Sequence, residues 1–215
     1  MQQRLLSVLL AVGLLGISTS SWAADDWQYW SQFEVKSSIN ANLDFKVKPE
    51  LRYDNDMNDH YYTHFEVGID WKINDWFVFG SYYRHVNQKK GDDWLVEYRP
   101  HLNGTFSGKF LGLSISDRSR MEYRFKEDKK FLRYRNKATV KLLKYTQFKI
   151  QPYVAEEPFY DFDVDEINKN RLYAGADLQI VIGFKGSVYF IHESNLKNDE
   201  WTSVSILVTA LNYSL

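Results

Sequence analysis

Charged residues, most of them arginine, alternate with other residues in two neighbouring stretches, at positions 114–125 and 131–140. The charged positions that share one parity are Arg118, Arg120, Glu122 and Arg124 in the first stretch, and Arg133, Arg135 and Lys137 in the second. Guanidinium groups bind carboxylate and phosphate oxygens in a bidentate manner. The pattern therefore allows an internal salt-bridge network, a basic constriction that selects small anions, or a site for a lipid headgroup or sugar acid.

Two histidines share a predicted strand face with carboxylates. His64 has the same parity as Glu66, and His101 has the same parity as Glu97. A His–carboxylate pair together with a serine could form a hydrolase triad, and Ser114 and Ser116 have the parity to join one. However, no segment has the spacing of a nucleophile elbow, and such pairs also make ordinary interior hydrogen bonds. The catalytic residues of any such enzyme are unknown, and the sequence favours a non-enzymatic protein.

No residue pattern indicates a metal or a cofactor. The chain contains no cysteine, which excludes disulfides, thiol catalysis and thiolate ligands. The acidic run at 161–166 could offer oxygen ligands to calcium, but it lacks the glycine that shapes an EF-hand loop. We interpret this run as a solvated loop, and we predict neither a metal site nor a cofactor.

Strands must position these side chains, because the period-two alternation extends over nearly the whole chain. No segment shows helical periodicity, and no linker divides the chain, so one domain is expected. The strand-like segments lie at 27–38, 41–54, 60–73, 76–88, 93–104, 109–125, 130–143, 147–157, 170–182, 185–194 and 200–215. Residues 41–215 are predicted to form a barrel, with residues 24–40 as a lead-in or a first strand.

The connections and the aromatic residues favour a membrane barrel over a soluble sandwich. Short turns, such as 74–75, alternate with longer polar loops, such as 87–93, as in bacterial outer-membrane barrels. Aromatic residues form 17% of the chain, and many lie at strand ends, where barrels have interfacial girdles. The predicted fold is all-β: a single antiparallel, up-and-down transmembrane β-barrel of about 10–12 strands, with an even number expected. The charged face of each strand would line the lumen.

Residues 1–23 have the organisation of a cleaved signal peptide. Arg4 supplies the positive charge, residues 5–17 form the apolar run, and cleavage is expected after Ala23. We therefore predict export through the inner membrane and residence in the bacterial outer membrane. Cleavage would remove Arg4, which is one of the 27 Lys and Arg residues, and none of the 28 Asp and Glu residues. The mature chain would therefore have a net charge of about −2. This balance argues against a nucleic-acid partner.

The last predicted strand has the pattern of an assembly signal. Leu207, Thr209, Leu211, Tyr213 and Leu215 alternate up to the end of the sequence. Outer-membrane barrels resemble this pattern, although their last residue is usually aromatic, and here Tyr213 supplies the aromatic on the same face. The expected partners are therefore outer-membrane lipid and the barrel-assembly machinery, which would bind this strand.

Several motifs together resemble an uncharacterised bacterial family, domain of unknown function 2490. They are Trp30 and Glu34, Glu50-x-Arg52, the Arg118-to-Arg124 run, Arg133-x-Arg135, Pro152-Tyr153 with Glu156-Glu157, and Arg171-x-Tyr173-x-Gly175. The resemblance covers nearly the whole chain after the signal. It implies an outer-membrane-type barrel, and it implies no catalytic residues.

The predicted functional site is a charged network inside the lumen. Its members are Glu50, Arg52, Glu66, Glu97, Arg99, Arg118, Arg120, Glu122, Arg124, Arg133, Arg135, Glu157 and Arg171. A narrow lumen favours paired charges, because an isolated buried charge is costly. The favoured function is therefore a non-enzymatic barrel: a small or plugged channel, or a structural or binding barrel. An outer-membrane hydrolase or acyltransferase with a His/Glu/Ser site is one alternative, and a soluble periplasmic lipocalin-like binder is another.

Overall fold

The computed structural model describes residues 27–127, 129–143 and 149–215, so the predicted signal peptide and the turn predicted near 144–146 lie outside the described residues. The described residues form eleven strands and no helix that is long and apolar enough to cross a membrane. The strands are β1 (Trp27–Asn40), β2 (Leu43–Asp54), β3 (Asp59–Lys72), β4 (Phe77–Lys90), β5 (Asp93–Phe110), β6 (Leu113–Lys126), β7 (Lys129–Lys141), β8 (Ile150–Asp161), β9 (Glu166–Val181), β10 (Phe184–Lys197) and β11 (Glu200–Ser214).

Hydrogen bonds join each strand to its neighbours in sequence and close the sheet into a barrel between β1 and β11. All pairs are antiparallel except the closing pair, which is parallel and runs from Trp27↔Ser205 to Lys36↔Ser214. The predicted all-β barrel of about 10–12 strands is confirmed, but the expectation of an even number of strands with every pair antiparallel was wrong. A ring with an odd number of strands cannot alternate direction all the way round, so one pair must be parallel. Residues 27–40 supply the strand that makes the number odd.

The predicted difference between short turns and long loops is also absent. We call the end where β1 begins the upper end and the end where β11 finishes the lower end. Among the described residues, connections of four residues occur at both ends, at 55–58 at the upper end and at 73–76 at the lower end, where short turns were expected. At the upper end, the predicted loop at 87–93 continues the β4–β5 ladder as far as Lys90↔Asp93. Polar residues remain in the ladder because the turn needs only Gly91, at φ 65°, and its neighbour.

Apolar side chains lie outside the barrel, and charged side chains lie inside it. On β3, for example, Phe65 and Ile69 are exposed on the outside. The residues on either side of Phe65, His64 and Glu66, are buried inside. An aromatic and aliphatic cluster fills the part of the lumen beside β1 and β8–β11, and it includes Trp30, Tyr173, Ile191, Ile206 and Val208. The charged residues of β2–β7 face this apolar wall across the lumen.

Two glycines inside the lumen allow tyrosines to pack directly against the barrel wall. A Cβ atom on Gly68 would lie 2.1 Å from Tyr82 Cδ1 and 2.6 Å from the Ser81 carbonyl oxygen. A Cβ atom on Gly175 would lie 2.2 Å from Tyr189 Cβ. Each tyrosine covers the strand next to its own, so these contacts tie neighbouring strands together.

We expect Gly68→Ala to destabilise the barrel by about 1–3 kcal/mol, because the added methyl group overlaps both a ring and a backbone carbonyl. Unfolding in urea, followed by tryptophan fluorescence, measures the effect. The matched control is Gly108→Ala on β5, where an added Cβ meets nothing within 4 Å. Equal stability of the two variants would contradict the packing described for Gly68 and Tyr82.

Candidate functional site

Glu122 on β6 is at the centre of the charged lumen and is 0% exposed. Its carboxylate lies 2.6 Å from Arg133 Nη2 and 3.2 Å from Arg135 Nε, both on β7. Arg120 Nη1 lies 3.6 Å away on the same strand, and Arg99 Nη1 lies 3.9 Å away on β5. One carboxylate thus receives four guanidinium groups from three adjacent strands. The alternation places these groups on one face, and the short β5–β6 and β6–β7 connections bring the strands together.

Glu66 on β3 forms a second buried centre. Arg84 Nη2 lies 2.5 Å from its carboxylate, Arg120 Nη1 lies 3.9 Å away, and His101 Nε2 lies 3.6 Å away. Arg120 also donates a hydrogen bond of 2.7 Å to Asn103 Oδ1. Because Arg120 lies between Glu66 and Glu122, it joins the two centres across the lumen.

Glu157 on β8 forms a third centre on the side nearest the apolar wall. It accepts hydrogen bonds of 2.8 Å from Arg118 Nη2 and 2.5 Å from the Tyr173 hydroxyl. Arg135 Nε lies 3.6 Å from Glu157 and 3.2 Å from Glu122, and so it links this centre to the first. The three buried carboxylates therefore belong to one continuous layer of ion pairs. We call it the central layer: Glu66, Glu122 and Glu157 with their arginine partners.

Three more carboxylates extend the network toward the upper end. Glu97 accepts hydrogen bonds from Arg124 at 2.6 and 2.8 Å and from Arg99 at 2.8 Å. Glu50 accepts 2.5 Å bonds from Arg52 and Gln32. In addition, Glu193 accepts bonds of 2.6 Å from Arg171 and 2.7 Å from Lys169.

All thirteen residues of the predicted network face the lumen, and each makes at least one ion pair. Sequence reasoning missed Arg84, Lys169 and Glu193. The signal for two of them was strand register: Arg84 lies directly opposite Glu66, and Glu193 lies directly opposite Arg171. Pairing the residues of the two strands outward from the turns at 74–75 and 182–183 would have placed both residues opposite charges already assigned to the lumen.

The upper half of the lumen contains a basic cavity of about 190 Å³, which we call the upper cavity. Its charged lining is Arg52, Arg84, Arg99, Arg124, Arg133, Arg135, Lys169, Arg171 and Glu193. Aromatic rings contact four of these arginines, and Arg133 and Arg135 both lie over the Phe159 ring. Arg52 Cζ lies 3.5 Å from the centre of the Trp30 ring and 4.1 Å from that of Tyr62, while Arg171 Cζ lies 4.9 Å from both Trp30 and Phe159.

The lower end has a different, balanced set of charges. Its ion pairs use lysine instead of arginine: Lys36–Asp44, Lys46–Asp70, Lys48–Glu34 and Lys141–Asp177, at 2.5 to 2.9 Å. Each ammonium group has its own carboxylate. The excess of positive charge is therefore confined to the central layer and the upper cavity.

The structure does not assemble the hydrolase site that the sequence left as an alternative. His64 lies 3.5 Å from Glu50, and His101 stacks on Tyr82 at 5.2 Å with the rings nearly parallel. Ser114 lines a separate cavity of about 370 Å³ at the lower end. On β6, Ser114 and Ser116 are eight and six positions from the residue paired with His101, which is roughly 20–26 Å along a strand. The histidines and these serines therefore cannot form one catalytic centre.

The described residues also contain no cluster of three or more His, Asp or Glu side chains that could hold a metal ion. The acidic run at 161–166 comprises the β8–β9 turn and the strand residue on each side of it. Its carboxylates make local hydrogen bonds. Asp161 accepts bonds from the Asp163 amide and the Asn168 side chain, and Asp165 accepts one from the Tyr160 hydroxyl.

A closed barrel with apolar side chains outside and a charged lumen is the architecture of porin-type outer-membrane proteins. The chain belongs to the family described as "Protein of unknown function (DUF2490)", whose model matches residues 27–203. The resemblance seen in the sequence is thereby confirmed. No curated protein sequence matches the chain.

Solved structures of two porins and of a siderophore receptor match the chain. The NanC porin superposes with a TM-score of 0.52 and 10% identity, over 84% of this chain and 92% of that one. The KdgM porin matches with a TM-score of 0.46 and 15% identity, over 78% of this chain and 88% of that one. The siderophore receptor PirA from Pseudomonas aeruginosa matches with a TM-score of 0.34 and 13% identity, over 78% of this chain and 35% of that one. At these identities, the likeness to NanC concerns the fold alone.

Proposed function

We propose that this protein is a non-enzymatic barrel of the bacterial outer membrane, whose lumen is closed by the central layer. Residues 1–23 would direct export through the inner membrane and would then be removed. The last strand would be recognised by the barrel-assembly machinery, and the outward apolar residues would contact lipid. In this proposal the protein acts as a plugged channel or a binding barrel.

The near-complete burial of the three carboxylates of the central layer, and of Arg120 between them, carries this proposal. Glu66, Glu122 and Glu157 are each 1% exposed or less, and Arg120 between them is 4% exposed. A side chain that lined an open, water-filled pore would be accessible to solvent along the pore. Buried ion pairs are stable only when their geometry and hydrogen bonds compensate for lost hydration, which the short contacts of Arg133 and Arg84 supply.

The direction of the side chains speaks against the soluble alternative. A lipocalin-like binder would place its charged faces in water and its apolar faces around a ligand. Here Phe65, Ile69, Leu102 and Leu172 lie outside, and the ion pairs lie inside. The hydrolase alternative has no support either, because the histidines and Ser114 are far apart along the barrel.

In planar lipid bilayers, the purified wild-type protein is expected to give little or no steady current. The double variant Glu122→Ala, Arg133→Ala removes one charge of each sign from the central layer and should raise single-channel conductance at least several-fold. The matched control is Lys36→Ala, Asp44→Ala, which removes a neutral pair from the lower end and should leave the conductance unchanged.

Two results would contradict the proposed function. The first is a large wild-type current that the central-layer variant does not increase. The second is recovery of the protein in the soluble periplasmic fraction with the same gel mobility before and after boiling, since folded outer-membrane barrels change mobility when heated. Fractionation and the boiling test therefore accompany every conductance measurement.

A further inference from the structure

The charges of the central layer and upper cavity do not balance. Eleven cationic side chains are present: Arg52, Arg84, Arg99, Arg118, Arg120, Arg124, Arg133, Arg135, Lys137, Lys169 and Arg171. They share six carboxylates: Glu50, Glu66, Glu97, Glu122, Glu157 and Glu193. The excess of five positive charges lies inside a narrow lumen. Buried charge without a counterion is unfavourable, so a mobile anion is the natural complement.

The upper cavity has space for such an anion. It has a volume of about 190 Å³, and eight of the nine charged residues in its lining are cationic. Several carboxylates near it are already shared: Glu193 serves both Lys169 and Arg171, and Glu97 serves both Arg99 and Arg124. A guanidinium group has five N–H donors, so a shared carboxylate leaves donors free for a ligand.

Aromatic stacking prepares these donors for an anion. Arg52 is held between Trp30 and Tyr62, and Arg171 is held between Trp30 and Phe159. Stacking occupies the faces of a guanidinium group and leaves the N–H groups at its edge available, while it fixes the plane of the group. Such pre-organised groups lose less entropy when they bind a ligand.

We propose that the upper cavity binds a small, free anion that carries two or more carboxylate or phosphate groups. The proposal rests on the proposed function, in which the central layer closes the floor of the cavity. The cavity volume equals roughly six water molecules, which suits a compact anion and excludes a polymer. A free anion is favoured over a lipid headgroup, because the closed ring of strands leaves no lateral opening toward lipid.

The test is isothermal titration of the full-length mature protein in detergent with citrate and with pyrophosphate, and with glucose as an uncharged probe. Both anions should bind, and glucose should not. The affinity should fall as sodium chloride rises, because salt screens the attraction. Lys169→Gln should weaken binding about ten-fold through loss of one charged contact. Lys36→Gln at the lower end is the control and should bind as the wild type does.

The change of mobility on boiling verifies that each variant is folded before titration. Absence of anion binding by folded wild-type protein would overturn the inference, as would an equal loss of affinity in both lysine variants. Binding that requires nanodiscs of phosphorylated lipid, with no response to citrate or pyrophosphate, would overturn it in favour of a headgroup.

Conductance measured in parallel separates the two proposals. If the wild type conducts and citrate blocks the current, the closed lumen is wrong but the anion site stands. If the wild type is closed and no anion binds, the inference fails and the proposed function survives.

Discussion

Replacement of Glu122 by glutamine is expected to destabilise the barrel by about 3–5 kcal/mol. The change removes the buried charge that four guanidinium groups share. Arg133 loses its carboxylate partner, and the mutual repulsion of the four groups is then opposed only by the neighbouring carboxylates Glu66, Glu97 and Glu157. Glutamine keeps the size of the side chain, so lost packing does not contribute. Urea unfolding in detergent or lipid vesicles, with tryptophan fluorescence as the signal, measures the change in free energy.

The partner changes should behave differently, because the network is short of carboxylates. Arg133→Gln should cost less than Glu122→Gln, since Glu122 keeps Arg135, Arg120 and Arg99. The double variant Glu122→Gln, Arg133→Gln should be less destabilised than the sum of the single changes, with a coupling of about 0.5–3 kcal/mol.

The control for this cycle is Asp75→Asn, the loss of an exposed carboxylate that pairs with Lys72 at 2.8 Å in the β3–β4 connection. It should leave stability unchanged. Strictly additive effects of Glu122→Gln and Arg133→Gln would show that water and salt screen the lumen, as in an open anion pore.

A charge placed on the outward face is expected to have the second large effect. Leu102 on β5 is half exposed, and it is paired with Met121, beside the Glu122 level of the barrel. Leu102→Arg should destabilise the inserted barrel by about 2–4 kcal/mol, because it places a charge toward the middle of the bilayer. The fraction of protein with heat-modifiable mobility after folding into lipid vesicles reports the loss.

Leu111→Arg is the matched control for the outward charge. Leu111 lies in the β5–β6 turn, is 71% exposed and belongs to the lower end, where water and headgroups can accept a charge. The same Leu-to-Arg change should therefore have little effect there. If both variants assemble equally well, the outward face of Leu102 does not lie in a membrane.

The sequence by itself determined the strand faces and most of the lumen charges, although Arg84, Lys169 and Glu193 were missed. Period-two alternation is a local property of an extended chain, so the parity of Glu122, Arg133 and Arg171 followed directly from their positions. The choice of which face is inside also came from sequence, because the aromatic residues at strand ends and the pattern of the last strand favoured a membrane barrel, whose charged face lines the lumen. The family resemblance rested on these same residues, and the match over residues 27–203 confirmed it.

Only the tertiary structure decided how the barrel closes and how the charges pair. Whether residues 27–40 join the sheet depends on contacts with β11, which is distant in sequence, and their parallel pairing could not be seen in local alternation. Loop lengths were misjudged because paired polar residues extend a hairpin as readily as they form a loop. The meeting of Arg120 with Glu66, the stacking of Arg52 and Arg171 on Trp30, and the upper cavity all depend on strand register around the whole ring, since side chains from non-adjacent strands meet only when the barrel is closed.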